Sequence, residues 1–366
     1  MRSLLVRVIG LLLLLAGLMA FPLLFSNPAV TAIAVFTLLF AAATTGWNIF
    51  SGYTGYIALG HAAYFGIGAY ALAIICQDWQ VPGGYLPFLY VPLAGVIAAL
   101  CAVPLGWIAL RVRRHTFVVI TIAMFFILQL LAYNLRGLTN GSTGLSLPIP
   151  TDWGGDFFNT PFYYASLVVL LIAVALSWWI RNSKYGLGLL AIRDDEDRAL
   201  GLGVKVEFSK LAAFVMSALI VGMVGAVWAY FIESIYPPFA FDATLDVAIA
   251  LMAFLGGLGT VVGPLVGAFL LEPTQQYFTL QFGQNGYYLI IYGALFLVVI
   301  LLLPQGVVPS LRTRWVKLQV VRSQRQASSL AIVALPKSDG GENALANETE
   351  VLAEATERGK EEGINL

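Results

Sequence analysis

Charge is what this sequence has least of. Only 11% of its 366 residues are Asp, Glu, Lys or Arg, while 59% are hydrophobic. Soluble domains run nearer a quarter charged, and could not hide that much apolar surface, so a water-soluble fold is excluded. The formal net charge is zero. Nothing therefore points to a nucleic-acid partner or to an acidic substrate.

Reactive residues are also scarce. His61 and His115 are the only histidines, so a metal pair of the H-E-x-x-H kind is absent, and G-x-S-x-G is absent as well. These absences argue against an intramembrane enzyme, and no metal or cofactor is expected. The chain holds no G-x-x-x-x-G-K-[ST] loop, and hence no ATP site of its own by that signature. There are two cysteines, Cys76 and Cys101. The spans below set them at different depths, too far apart for the ~7 Å Cα limit of a disulfide; both read as small packing residues.

What the chain does have is long apolar runs, such as 162–179 and 289–303. A hydrocarbon core of ~30 Å needs about twenty such residues per helix. Candidate spans fall at about 8–25, 29–50, 57–76, 87–110, 116–135, 161–180, 211–232, 243–257, 261–280 and 286–303. Hydropathy alone would merge the eighth and ninth across Gly256, Gly257 and Gly259. That merger would put Arg312, Arg314, Lys317, Arg322 and Arg325 on the side opposite the charged loop 181–210. Basic residues near membrane ends mark the cytoplasmic side, so the segment is split at the glycines. The first apolar run reads as an uncleaved span, with a cleaved signal peptide as the competing reading.

The expected architecture is all-α: a polytopic membrane protein of about ten transmembrane helices with both termini cytoplasmic. Residues 1–310 form the transmembrane domain, including a cytoplasmic loop at 181–210, and 311–366 form a cytoplasmic tail. The tail is poor in aromatics beyond residue 338 and is expected to be largely disordered. The inner side then holds Arg2, Arg7, Arg111, Arg113, Arg114 and every basic residue of 181–210, against Arg136 alone outside. No Lys or Arg falls inside a span. The outer loops carry Asp78, Asp152, Asp156, Glu233 and Asp242, a solvated acidic face or a docking surface for an external partner.

Three segments stand out. Within 185–203, Leu189, Leu190, Ile192, Ala199 and Leu200 suit a short helix ended by Gly201 and Gly203. A helix that short is marginal alone in water, so something must support it. The second segment, 46–70, is rich in glycine: Gly52, Gly55, Gly60, Gly66 and Gly68 allow close helix approach or broken backbone beside a cavity. His61 is polar within a span and lies near its inner end, within reach of water. The third, 251–269, carries Gly256, Gly257, Gly259, Gly263 and Gly267. The second and third align without gaps (Leu59-Gly60 with Leu258-Gly259, Gly68-Ala69 with Gly267-Ala268), which suggests a parallel internal repeat with spans three and nine lining one pathway. Asp246 is placed towards the outer end of its span, and Glu272 near the middle of the ninth.

The order Ala191-Ile192-Arg193-Asp194-Asp195-Glu196 with Gly203 beyond it resembles the coupling segment of branched-chain amino-acid permease subunits of ABC importers. Gly52-Tyr53-Thr54-Gly55, Leu59-Gly60-His61-Ala62 and Gly256-Gly257-Leu258-Gly259-Thr260 are similar to stretches of the same family. The likeness runs from about 46 to 303, with 113–126 less typical. It implies a permease subunit in a bacterial cytoplasmic (inner) membrane, moving branched-chain or similar amino acids by alternating access. By the same resemblance, Arg193, Asp194, Asp195, Glu196 and Gly203 contact a separate ATP-binding subunit. Gly52, Gly55, Gly60, His61, Gly66, Gly256, Gly257 and Gly259 are candidates for the translocation pathway. A second permease subunit, an external substrate-binding protein and membrane lipid complete the implied partners. Urea and short-amide ABC permeases are closely similar alternatives, and an ion-coupled secondary transporter is a further class.

Overall fold

A computed structural model of the chain describes residues 2–282 apart from 26, 151–152 and 154–157, and beyond them 293–294, 297, 306–311 and 313. The expected tenth span falls almost wholly, and the tail beyond 313 wholly, outside the described residues. Thirteen α-helices run through the described part: α1 (Arg2–Leu24), α2 (Pro28–Trp47), α3 (His61–Asp78), α4 (Leu86–Ala109), α5 (Arg114–Asn134), α6 (Arg136–Thr139), α7 (Thr160–Asn182), α8 (Lys184–Asp194), α9 (Glu196–Gly201), α10 (Val206–Ile232), α11 (Pro237–Ala240), α12 (Ala243–Gly256) and α13 (Gly263–Phe282). Strand is confined, among the described residues, to an antiparallel pair, β1 (Leu145–Ser146) and β2 (Ser234–Ile235), with Leu145 opposite Ile235. Six helical segments of the described chain are long and apolar enough to cross a membrane.

Local chemistry accounts for several helix starts. Asn27 accepts from the Ala29 amide at 3.0 Å ahead of Pro28, which needs no partner for its missing N–H at the first position of α2. Asp242 caps α12 through the Thr244 amide at 2.8 Å. Pro264 sits in the first turn of α13, where proline is tolerated.

The core sits around α10, which packs against α3, α4, α2 and α7. Small residues make that closeness possible. A Cβ on Gly68 would drive into the Gly222 carbonyl, and one on Gly225 into the Phe65 carbonyl, so α3 and α10 touch backbone to backbone. The outward faces of α4 and α5 leave Leu89, Leu100, Val119, Ile127 and Leu130 exposed, as helices against hydrocarbon do.

Two expectations are corrected by the packing. α12 and α13 are separate helices that fold back on each other, since a Cβ on Gly256 would meet the Gly263 carbonyl and one on Gly267 the Met252 carbonyl; the split at the glycines stands. The repeat does not follow from it, however. Among the described residues α3 packs on α10 and α4, which also pack on each other, whereas α13 packs on α2 and on α12, the helix it follows. The second correction concerns charge inside a span: Lys210 belongs to α10 and is only 3% exposed. Its burial is supported by a partner carboxylate, described below.

Candidate functional site

The α2 helix ends in a π turn, Asn48–Gly52. Such wide turns loosen the backbone ladder and often mark functional positions. Beyond a last helical pair, Tyr53 and Thr54, residues 55–60 are not helical, and the chain retraces its path. The Trp47 indole donates to the Ala58 carbonyl at 2.8 Å, which brings the returning strand level with the end of α2. Gly55 makes the reversal with φ +74°, a conformation that costs glycine little.

α3 therefore starts inside the bundle. Its N-cap, Gly60, supplies no side-chain acceptor. The acceptor comes from α12 instead: Asp246 Oδ1 receives the His61 amide at 2.9 Å. The His61 ring is fully buried, with Nε2 2.7 Å from Ser217 Oγ of α10. Expectation had His61 near the inner, hydrated end and Asp246 towards the outer one. The structure joins them, because the extended residues 55–60 carry the chain back into the bundle before the helix begins. Asp246 Oδ2, His61 Nδ1 and Glu272 Oε2 are buried without a hydrogen-bond partner.

The two glycine-rich stretches meet at Asn48. Its Oδ1 accepts from the Gly259 amide at 2.9 Å, and its Nδ2 donates to the Thr260 carbonyl at 3.0 Å. A fully buried side-chain amide thus ties the π turn to the α12–α13 reversal, satisfying two backbone groups that the breaks leave outside any helix. Asn48 was not singled out in the sequence. An amide in an otherwise apolar run, four residues before Gly52, was the available signal.

The charged segment splits into two helices. Ser183 caps α8 through the Gly186 amide at 3.1 Å. Asp195 then interrupts it and caps α9, accepting from the Arg198 amide at 3.0 Å. Two inward contacts anchor the pair. Arg193 Nη1 donates to the Gly52 carbonyl at 2.9 Å. Glu196 accepts from Lys210 Nζ at 2.6 Å and from the Tyr56 hydroxyl, and the Lys210 ammonium lies 4.6 Å from the Tyr56 ring centroid. Burial pushes the Glu196 carboxyl up, but the hydrogen bonds from Lys210 and Tyr56 outweigh it, so its pKa lies below the ordinary carboxylate value.

Outward, the same segment presents Asp194, Asp197, Gly201 and Gly203, with Leu187, Leu200, Leu202 and Phe208 exposed. The five coupling candidates thus divide: Asp194 and Gly203 face out, Asp195 caps, and Arg193 and Glu196 bond inward. Glu196, expected at the contact with an ATP-binding subunit, is instead turned to Lys210 beside it. The pathway candidates are all tightly packed. A Cβ on Gly52 would strike Asn48, one on Gly60 the Thr121 carbonyl at 2.5 Å, and one on Gly66 the Phe241 ring at 2.7 Å. Gly257 and Gly259 turn the chain between α12 and α13 with φ +117° and +74°. The apolar groove walled by Phe88, Val91, Tyr164 and Met223 lies elsewhere, between α4, α7 and α10.

A bundle of apolar helices with broken backbone at its interior and a charged segment strapped to the breaks is the architecture of a multi-pass membrane protein. Comparison with known proteins makes the class specific. The family of branched-chain amino acid transport system permease components matches residues 29–300, and the chain belongs to that family. It is 27% identical over 327 residues to the high-affinity branched-chain amino acid transport system permease protein LivM of Salmonella typhimurium, covering 82% of this chain and 75% of that one. With the permease protein LivH of Escherichia coli K12 it shares 25% identity over 281 residues, 73% of this chain and 90% of that one. The autoinducer 2 import system permease protein LsrC of Yersinia pseudotuberculosis is 30% identical over 142 residues, 37% and 38% of the two chains. No solved structure matches.

Proposed function

We propose that this chain is the membrane-spanning permease subunit of an ATP-driven importer in a bacterial cytoplasmic membrane. It moves branched-chain or similar amino acids by alternating access, beside a second permease subunit, with ATP-binding subunits on the inner side and a substrate-binding protein outside. The observation that carries the reading is the two-faced α8–α9 pair. Its outward face offers Leu200 and Leu202, at 62% and 81% exposure, beside Asp194 and Asp197, a mix of apolar and acidic groups suited to a protein groove. Its inward face is bonded to the broken membrane segment. Family membership supports the substrate class.

Transport by the reconstituted complex tests the reading. ATP-dependent leucine uptake that isoleucine and valine compete away is the expected result; competition by urea or short amides alone would move the chain to the neighbouring permease class. The buried carboxylates Asp246 and Glu272, each with an oxygen lacking a hydrogen-bond partner, favour one other reading, an ion-coupled carrier. Uptake that persists without ATP and collapses when the ion gradient is dissipated would establish that reading instead.

A further inference from the structure

We infer that Arg193 works within this chain, as the positioning residue that transmits movement of the α8–α9 pair to the glycine breaks, and not as a contact to the ATP-binding subunit. The inference rests on the importer reading and assigns a mechanical role inside it.

Three segments converge on this side chain. Its guanidinium donates to the Gly52 carbonyl, the last of the π turn. Its aliphatic stem lies against Gly55, where an added Cβ would come within 3.0 Å of Cγ, and an added Cβ on Gly259 would collide with Nη1. Gly259 and Thr260 are in turn bonded to Asn48 of the same π turn. The guanidinium therefore sits where the end of α2 and the α12–α13 reversal abut.

The chemistry suits the place. Carbonyls at a helix end carry partial negative charge and lack intrahelical donors, and a cation there is favourable. In apolar surroundings such a carbonyl needs a donor. Arginine offers several donors in a fixed fork, so a shift of α8 is passed on as a shift of the backbone it holds. The glycines matter for the same reason, since at 55 and 259 any side chain would push the guanidinium away. The outward face of the segment is made by other residues, Asp194, Asp197, Leu200 and Leu202 among them.

The test uses the full complex of this chain with its second permease subunit and ATP-binding subunits, in proteoliposomes supplied with binding protein and leucine. Arg193→Ala is expected to retain the ATP-binding subunits at the wild-type ratio while leucine moved per ATP hydrolysed falls by about tenfold or more, as loss of one charge-assisted bond implies. Arg193→Lys, which keeps charge but not the fork, should recover part of the coupling. The outward variant Leu200→Asp/Leu202→Asp should instead shed the ATP-binding subunits. Hydrogen exchange on the permease chain in detergent gives a readout independent of any partner: Arg193→Ala should speed exchange at the amides of 52–60 and at Gly259. Loss of the ATP-binding subunits from Arg193→Ala, wild-type leucine per ATP, or unchanged exchange would each overturn the inference. Failure of the wild-type complex to hydrolyse ATP or take up leucine would instead sink the importer reading, with the exchange result still deciding whether Arg193 holds the breaks. Should the Arg193→Ala permease chain itself fail to fold, giving no monodisperse peak in detergent, Arg193→Gln carries the same measurements with the same outcomes.

Discussion

Lys210 Nζ lies 2.6 Å from Glu196 Oε1, and the two side chains differ sharply in burial, at 4% and 29% exposure. The ion pair joins the start of α10 to the start of α9, and the Tyr56 hydroxyl bonds to the same carboxylate. The segment that leaves the membrane is thereby fastened back to the segment that breaks within it. Arg193 makes the second fastening, at the Gly52 carbonyl, four residues before Tyr56 and on the other side of Gly55.

The asymmetry in burial sets the order of mutational cost. Removing one partner of a buried pair costs roughly 3–5 kcal/mol, mainly because the other charge stays buried and uncompensated. Glu196→Ala strands the better-buried ammonium, so it should lower the melting temperature in detergent more than Lys210→Met. The Lys210→Met/Glu196→Ala double variant should recover part of the loss. Additive effects in that cycle would show that the pair does not stabilise the fold.

The same pair gives a pH dependence. Glu196 is held below the ordinary carboxylate value in the folded chain by Lys210 and Tyr56. A depressed folded pKa means the stabilisation is complete above the unfolded pKa of about 4.3 and is lost as pH falls through the lower folded one. Melting temperature should therefore be insensitive to this group from neutral pH down to about 5. The Glu196→Gln chain should lose the acid-dependent part of the wild-type profile. A matching acid drop in both proteins would assign it to other carboxylates.

Much of the helix layout was legible because it depends on neighbours in sequence. Asn27-Pro28 and Asp242 announce helix starts, and the glycines at 256–259 divide α12 from α13 as charge parity required. The π turn and the retracing strand were not legible, because hydropathy does not distinguish a continuous apolar helix from one that reverses at Gly55. That one reversal carries His61 into the bundle and brings it to Asp246, 185 residues away. It also brings Tyr56 under Glu196. Lys210 read as the end of a solvated loop, since its burial depends on a partner fourteen residues earlier that only the folded segment delivers. The acidic run was recognised as one motif, yet its members do three different jobs, and only tertiary contacts separate them.

Asp195 and Asp194 offer a contrast within that run. Asp195 Oδ1 accepts from the Arg198 amide and caps α9, whereas Asp194 is exposed. Asp195→Ala should cost about 1 kcal/mol, as loss of an N-cap does, with Asn tolerated. Asp194→Ala should leave stability unchanged. Exchange rates at Asp197 and Arg198 amides would resolve the two, and equal protection in both variants would count against the cap.

Gly68, Gly222 and Gly225 lie where α3 and α10 cross in backbone contact. No side chain at Gly68 can move to make room, because the obstacle is the Gly222 carbonyl. Gly68→Leu should therefore prevent assembly of the bundle, seen as loss of the monodisperse peak in detergent chromatography. Gly137 serves as a control, since a Cβ there meets nothing within 4 Å. A monodisperse, thermally unchanged Gly68→Leu protein would mean that α3 and α10 do not cross in backbone contact.

Asp246 supplies the acceptor that α3 lacks at its own N-terminus. Asp246→Asn keeps an oxygen for the His61 amide, while Asp246→Leu leaves that amide unsatisfied in an apolar interior, a penalty of roughly 1–3 kcal/mol. The first turn of α3 should then fray, raising hydrogen exchange at His61 and Ala62 in the Leu variant and much less in the Asn variant. Because Ser217 holds the His61 ring from α10, the effect should stop within that turn rather than spread to Tyr70. Equal exchange in both variants would mean that α3 is held in place by its packing on α10 alone, with the carboxylate free for another task.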